Sequence, residues 1–322
     1  MYSNENNDVG SMSTCGCARL GVILRKRISR PLAYVCCSES ISVVDLLELR
    51  RMFRIPCGDG SQPYNIVINP IENYAYVADY ALDRILTVDL TYNVIVNEVS
   101  VGGSPKSLAI SPCGRFLYVV FDDAPLMQVF STSTLELLWQ ISLPASSASI
   151  SVTTLGEIAC VTQPSINKTA VINLRRRMVI WMLDTHDGPG CTAVSPYHPV
   201  LLVGGNESDD VTPVNTLGML IGDSISLENA SSGVSYIGDG KSCLVAIPEK
   251  NAATVVDLVR QQTFRRIPTG DLPGGVAASL IYPLAVVCNQ GDATLTVIST
   301  KTFSATDDVD VGTNPTGVAI FE

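Results

Sequence analysis

The chain carries only two histidines, His186 in "DTHDGPG" and His198 in "SPYHPV". Nucleophilic triads use imidazole as their base, and many zinc sites use it as a ligand. Two histidines in separate loop-like stretches support neither arrangement. No Gly-rich phosphate loop and no nucleophile elbow occurs in the sequence. Acidic residues offer more. Asp79, Asp83, Asp122, Asp123, Glu207, Asp209, Asp210 and Asp292 fall in or beside polar turns. They form a candidate acidic binding site for a divalent cation or a basic partner, although no EF-hand spacing selects a metal. Arg50, Arg51, Arg175, Arg176 and Arg177 form a second, basic candidate. Cys15-Gly16-Cys17 is a C-x-C pair of the kind that binds a soft metal or cycles as a redox pair, with no second pair beside it.

A repeat positions these groups. Val35, Val77, Val119, Val161, Val203, Val245 and Val287 each end a short apolar run, and they stand 42 residues apart. A second register holds Asp45, Asp89, Ser131, Asn173, Asn215, Asp257 and Ser299, side chains that cap their own turns. A third holds Pro63, Pro105, Ser147, Pro189, Ser231, Pro273 and Pro315 in Gly/Pro/Ser loops. Between these marks each unit reads as four short strands, the second apolar on both faces, as in "FLYVV". Four strands per roughly 40 residues is the pattern of a propeller blade. The expected fold is all-β: a seven-bladed β-propeller with four antiparallel strands per blade. It should span residues 29–322, after an N-terminal tail of residues 1–28 that is expected to be flexible.

The first unit lacks a first strand. "PTGVAIFE" at the C-terminus fills that register, so the ring is expected to close through Val318–Ile320. The N-terminal "GVIL" is the rival. Mid-strand positions near the axis are small in every unit (Val67, Ala109, Ser151, Ala193, Ser235, Ala277 and Ala319), whereas the N-terminal candidate would place Arg25 there.

Composition narrows the function classes. Hydrophobic residues make up 46% and charged residues 16%, which excludes a disordered chain. A net charge of −10 disfavours nucleic acid as the partner. No apolar stretch is long enough for a membrane-spanning helix, and the N-terminus has no signal-peptide pattern. The cysteines then read as reduced thiols and the location as cytoplasmic.

"AYVADYALDRILTVDLTYNVIVNEVSVGGSPKSLAISPCGR" and "GDATLTVISTKTFSATDDVDVGTNPTGVAIF" resemble the YVTN family of β-propeller repeats, of bacterial or archaeal type. That resemblance implies the propeller fold and adds the cell surface or periplasm as an alternative location. It spreads the functional expectation widely: surface-layer, DNA-associated, lactonase-like and haem-carrying propellers all resemble this pattern. The expected function is a monomeric, non-catalytic scaffold that binds a protein or other partner through its loop faces, with no cofactor beyond a divalent cation. The alternative is a lactonase-like hydrolase with an acidic, cation-dependent site at the axial channel mouth. A haem-associated electron-transfer propeller ranks below both.

Overall fold

A strand that is apolar on both faces is stable only between two other layers. Each repeat supplies one such strand. The structure, a computed structural model describing residues 30–185 and 187–322, places it second of four in an antiparallel sheet. Blade 2 shows the unit: Pro63–Ile68, Tyr74–Asp79, Arg84–Asp89 and Val94–Ser100, counted outward from the axis. Blades 3 to 7 follow in chain order. The seven first strands touch one another in a closed circle, so the sheets form a ring. The only helical turns among the described residues are two short 3-10 segments, Pro164–Ile166 and Pro248–Lys250.

Blade 1 is built from both ends of the chain. Val318–Phe321 supplies its first strand and pairs antiparallel with Leu32–Cys37, with Leu32 opposite Phe321 and Val35 opposite Val318. The expected closure is the one observed.

Side-chain alternation explains why the blades adhere. On the second strand of blade 1, Tyr34 and Cys36 enter an apolar cluster shared with blade 2, while Ala33, Val35 and Cys37 enter one shared with blade 7. Seven such clusters fill the seven seams. Burying one Val or Leu side chain contributes about 1.5–3 kcal/mol, so the seams carry most of the stability. The buried thiols Cys36, Cys37, Cys160, Cys243 and Cys288 pack there as small apolar groups.

The turn register also holds. Asp45 Oδ1 accepts the N–H groups of Leu47 and Glu48 at 2.9 and 3.0 Å, and Asp257 Oδ1 accepts those of Val259 and Arg260 at 2.9 Å each. Blade 5 departs from the pattern. Its third strand, Asp210–Asn215, carries Pro213, which has no N–H for an outer neighbour. The fourth strand is accordingly split into Leu220–Ile221 and Ile225–Ser226.

Candidate functional site

The Pro/Ser register marks where each inter-blade loop enters a first strand. The two residues after each of these positions, from Tyr64-Asn65 round to Thr316-Gly317, line a cavity of about 540 Å³ on the ring axis. Its mouth lies on the face that carries the inter-blade loops and the turns between second and third strands.

Two devices hold the wall together. First strands have a free backbone edge toward the axis, and its polar groups need partners. In one half of the ring side chains supply them. Asn65 Oδ1 accepts Leu108 N–H at 3.0 Å, Ser107 Oγ accepts Ile150 N–H at 3.3 Å, and Ser149 Oγ lies 2.9 Å from Thr192 Oγ1. In the other half the same register holds Gly233, Gly275 and Gly317, and neighbouring backbones close in directly. A methyl group at Gly275 would run into the Thr316 carbonyl, and one at Gly233 into the Gly274 carbonyl.

At the rim of blades 2, 3, 5 and 7, the residue after the Pro/Ser position meets the first residue of the turn that follows its blade's second strand. In blade 2 this pair is Tyr64 and Tyr80, ring centroids 5.8 Å apart. In blade 3 it is Lys106 and Asp122, with Nζ 3.4 Å from Oδ2. The Lys106 ammonium also lies 4.3 Å from the Tyr64 ring centroid and 5.1 Å from that of Tyr80, within cation–π range. In blades 5 and 7 the inner partner is glycine, and the carboxamides of Asn206 and Gln290 lie against Gly190 and Gly274. The rim therefore has one aromatic, charged wall and one bare wall carrying two amides.

Lys106 and Cys191 of the lining both keep their protons at neutral pH. Burial pulls Lys106 down, but Tyr64 and Asp122 outweigh it, so its pKa rises and it remains an ammonium. At the rim, the Asp122 carboxylate accepts the Tyr80 hydroxyl at 2.9 Å and holds that phenol above its ordinary value. Burial pushes the Cys191 thiol up to about 11, so it is protonated at neutral pH. Glu249 is the only carboxylate of the lining among the described residues, and its Oε2 accepts Asn229 Nδ2–H at 2.7 Å.

None of the eight acidic candidates lines this cavity. Asp79 is not an exposed turn acid but the fully buried last residue of its strand. It accepts Ser61 Oγ, Gln62 N and Arg84 Nε, each at 2.8 Å. Asp83 and Asp123 both hold Ser104 of the next inter-blade loop, at 3.3 Å through its hydroxyl and 2.9 Å through its N–H. Asp122 is engaged by Lys106 and Tyr80 as above. Asp292 accepts Asp271 N–H at 3.0 Å and Thr294 Oγ1 at 2.8 Å. Glu207, Asp209 and Asp210 cluster in blade 5, where Glu207 packs beside Gly188. Among the described residues, no three His, Cys, Asp or Glu side chains come together as a metal site requires.

The basic candidates lie away from the cavity mouth. Arg50 and Arg51 open the outer strand of blade 1 rather than its turn, and face Glu48 at 2.7 Å and Asp310 at 3.8 Å. Arg175, Arg176 and Arg177 occupy the third-to-fourth turn of blade 4, on the opposite face, with Arg177 5.4 Å from the Trp139 ring. His198 is also on that face, in the first-to-second turn of blade 5. His186, Cys15 and Cys17 lie outside the described residues.

Sequence reasoning missed Tyr64, Lys106, Asn206 and Gln290. The signal was one residue away from a register it used. The positions after Pro63 and Pro105, and those 16 residues further on, change type from blade to blade, whereas the register just before the first of them is Pro or Ser in every unit.

These features define a class, the seven-bladed β-propeller with a polar axial cavity. Comparison with solved structures places the chain beside particular members. The hydrazine synthase of Kuenenia stuttgartiensis matches with a TM-score of 0.72 and 18% identity, over 81% of this chain and 90% of that one. A functionally unknown protein from Desulfotomaculum acetoxidans DSM 771 matches with 0.76 and 15%, over 91% and 99%. The dihydro-heme d1 dehydrogenase NirN, solved in complex with DHE, matches with 0.67 and 16%; 89% of this chain spans 66% of that one. At these identities the likeness is one of fold. No protein-family model and no curated protein matches the chain. No helix among the described residues is long and apolar enough to cross a membrane.

Proposed function

We propose that the chain is a non-catalytic propeller of the YVTN-repeat type that binds a protein partner through the face on which the axial cavity opens. The observation that carries this reading is the chemistry of the lining. Among the described residues it offers hydroxyls, carboxamides and bare backbone, with one ammonium, one carboxylate, one protonated thiol and no imidazole. Such groups suit recognition, and within the described lining the single carboxylate has no second titratable group beside it to complete an acid–base pair. A hydrolase would need a second carboxylate or a metal-bound water at the mouth. The acids predicted for that role instead tie inter-blade loops to their blades, as Asp83, Asp123 and Asp292 do. NirN works on a dihydro-heme d1, but the described lining here holds no histidine or methionine and keeps Cys191 as a thiol, so it does not fit that group.

Photo-crosslinking tests the proposal. A benzoylphenylalanine at Leu82, exposed in the second-to-third turn of blade 2 on this face, should capture the partner in extracts of the producing cells, and one at Val259 on the opposite face should not. Equal capture from both positions overturns the assignment of the face.

A further inference from the structure

We infer that the part of the partner entering the axial cavity is a neutral saccharide end group; the inference rests on the cavity face being the binding face. Three observations converge.

The first is charge. The two formal charges of the lining, Lys106 and Glu249, are each already engaged: Lys106 by Asp122 and two tyrosine rings, Glu249 by Asn229. An ionic ligand would have to displace a partner already in place. A neutral one need not.

The second is the pair of rim amides. Asn206 and Gln290 are exposed on the side where Gly190 and Gly274 remove any competing side chain. Neither carboxamide has a side-chain hydrogen bond to another described residue. A carboxamide presents a donor and an acceptor side by side. Adjacent hydroxyls of a sugar ring need that combination, because each hydroxyl both donates and accepts.

The third is the arrangement of apolar surface. Tyr64 stands on the opposite wall, and Val234, Val276 and Val318 line the same first strands further from the rim. A sugar ring has a C–H face and a hydroxyl edge, so it meets both surfaces at once. An aromatic ring with a polar tip suits such an amphiphilic ligand. The cavity volume of about 540 Å³ falls within the range of small-molecule pockets, roughly 300–1,000 Å³.

The test is a printed array of neutral and acidic glycans probed with the full-length protein. At least one neutral glycan should bind. Asn206→Ala with Gln290→Ala should weaken that binding at least about tenfold, the equivalent of 1.4 kcal/mol. Tyr64→Ala should weaken it as well, and Arg176→Ala on the opposite face should leave it unchanged. Gly274→Ala gives an independent check: its methyl would come 2.9 Å from Gln290 Nε2 and displace the amide without removing it, so binding should fall there too. No glycan binding, binding of acidic glycans alone, or binding indifferent to these variants overturns the inference. Crosslinks from Leu82 that persist under saturating neutral glycan would overturn it while leaving the proposed binding face standing. Failure of the crosslinks themselves would count against the face.

Discussion

At the residue scale, Asp79 shows how one side chain can pass for a site and be an anchor. In sequence it is the acid ending "YAYVAD", indistinguishable from the exposed turn acids Asp83 and Asp123. What separates them is a single position: Asp79 still belongs to the strand, points into the seam and meets Arg84 across the hairpin. The Arg84 guanidinium in turn bridges Asp79, Glu98 and the Cys57 carbonyl, so one ion pair ties the hairpin to the preceding loop. Removing one partner of a buried pair leaves an uncompensated charge and typically costs about 3–5 kcal/mol. Asp79→Ala should therefore lower urea-derived stability by about 3 kcal/mol. A loss below about 1 kcal/mol would show that Asp79 is dispensable to the fold and return it to the list of functional acids.

At the scale of strands and turns, much was legible because the repeat is strict. The Asx and Ser turn register, the small axial positions and the doubly apolar second strand each have a local cause, and each appears in the structure where the spacing put it. The wall of the cavity was less legible. Asn65, Ser107 and Ser149 share a register with Gly233, Gly275 and Gly317, and their types look unrelated in sequence. Only the ring explains them: each satisfies or permits the approach of the next blade's backbone, a neighbour 42 residues away. Blade 5 makes the same point. Pro213 predicts a weakened outer edge, but not that the fourth strand resumes at Ile225. The glycine half of the wall has a direct consequence. Gly275→Ala would force the first strand of blade 7 away from the closing segment at Thr316. Overpacking of this kind costs about 1–3 kcal/mol, and the variant's denaturation midpoint should fall accordingly. An unchanged midpoint would mean that the two backbones do not approach as closely as described.

At the scale of the whole molecule, the ring depends on its last strand. Val318–Phe321 completes blade 1, Phe321 packs edge-on against Tyr34, and Glu322 accepts Leu280 N–H at 3.0 Å in blade 7. The segment thus joins a sheet, a seam and a neighbouring blade. Deleting residues 316–322 should lower the melting temperature sharply and broaden the transition, because blade 1 then lacks its axial strand. A truncated chain that melts like the parent would contradict the closure. The same closed ring explains the site. Seven entry points converge on one axis, so the cavity samples residues spread from Tyr64 to Val318 that no local motif gathers. That is why the fold could be read from spacing and the rim could not.

The central claim is that recognition happens on the cavity face without chemistry. The most direct measurement is the paired photo-crosslink from Leu82 and from Val259 in extracts of the producing cells. Adducts from Leu82 alone, lost when Asn206 and Gln290 are replaced by alanine, are the predicted result. Adducts from Val259 alone, or equal yields from both faces, would contradict it.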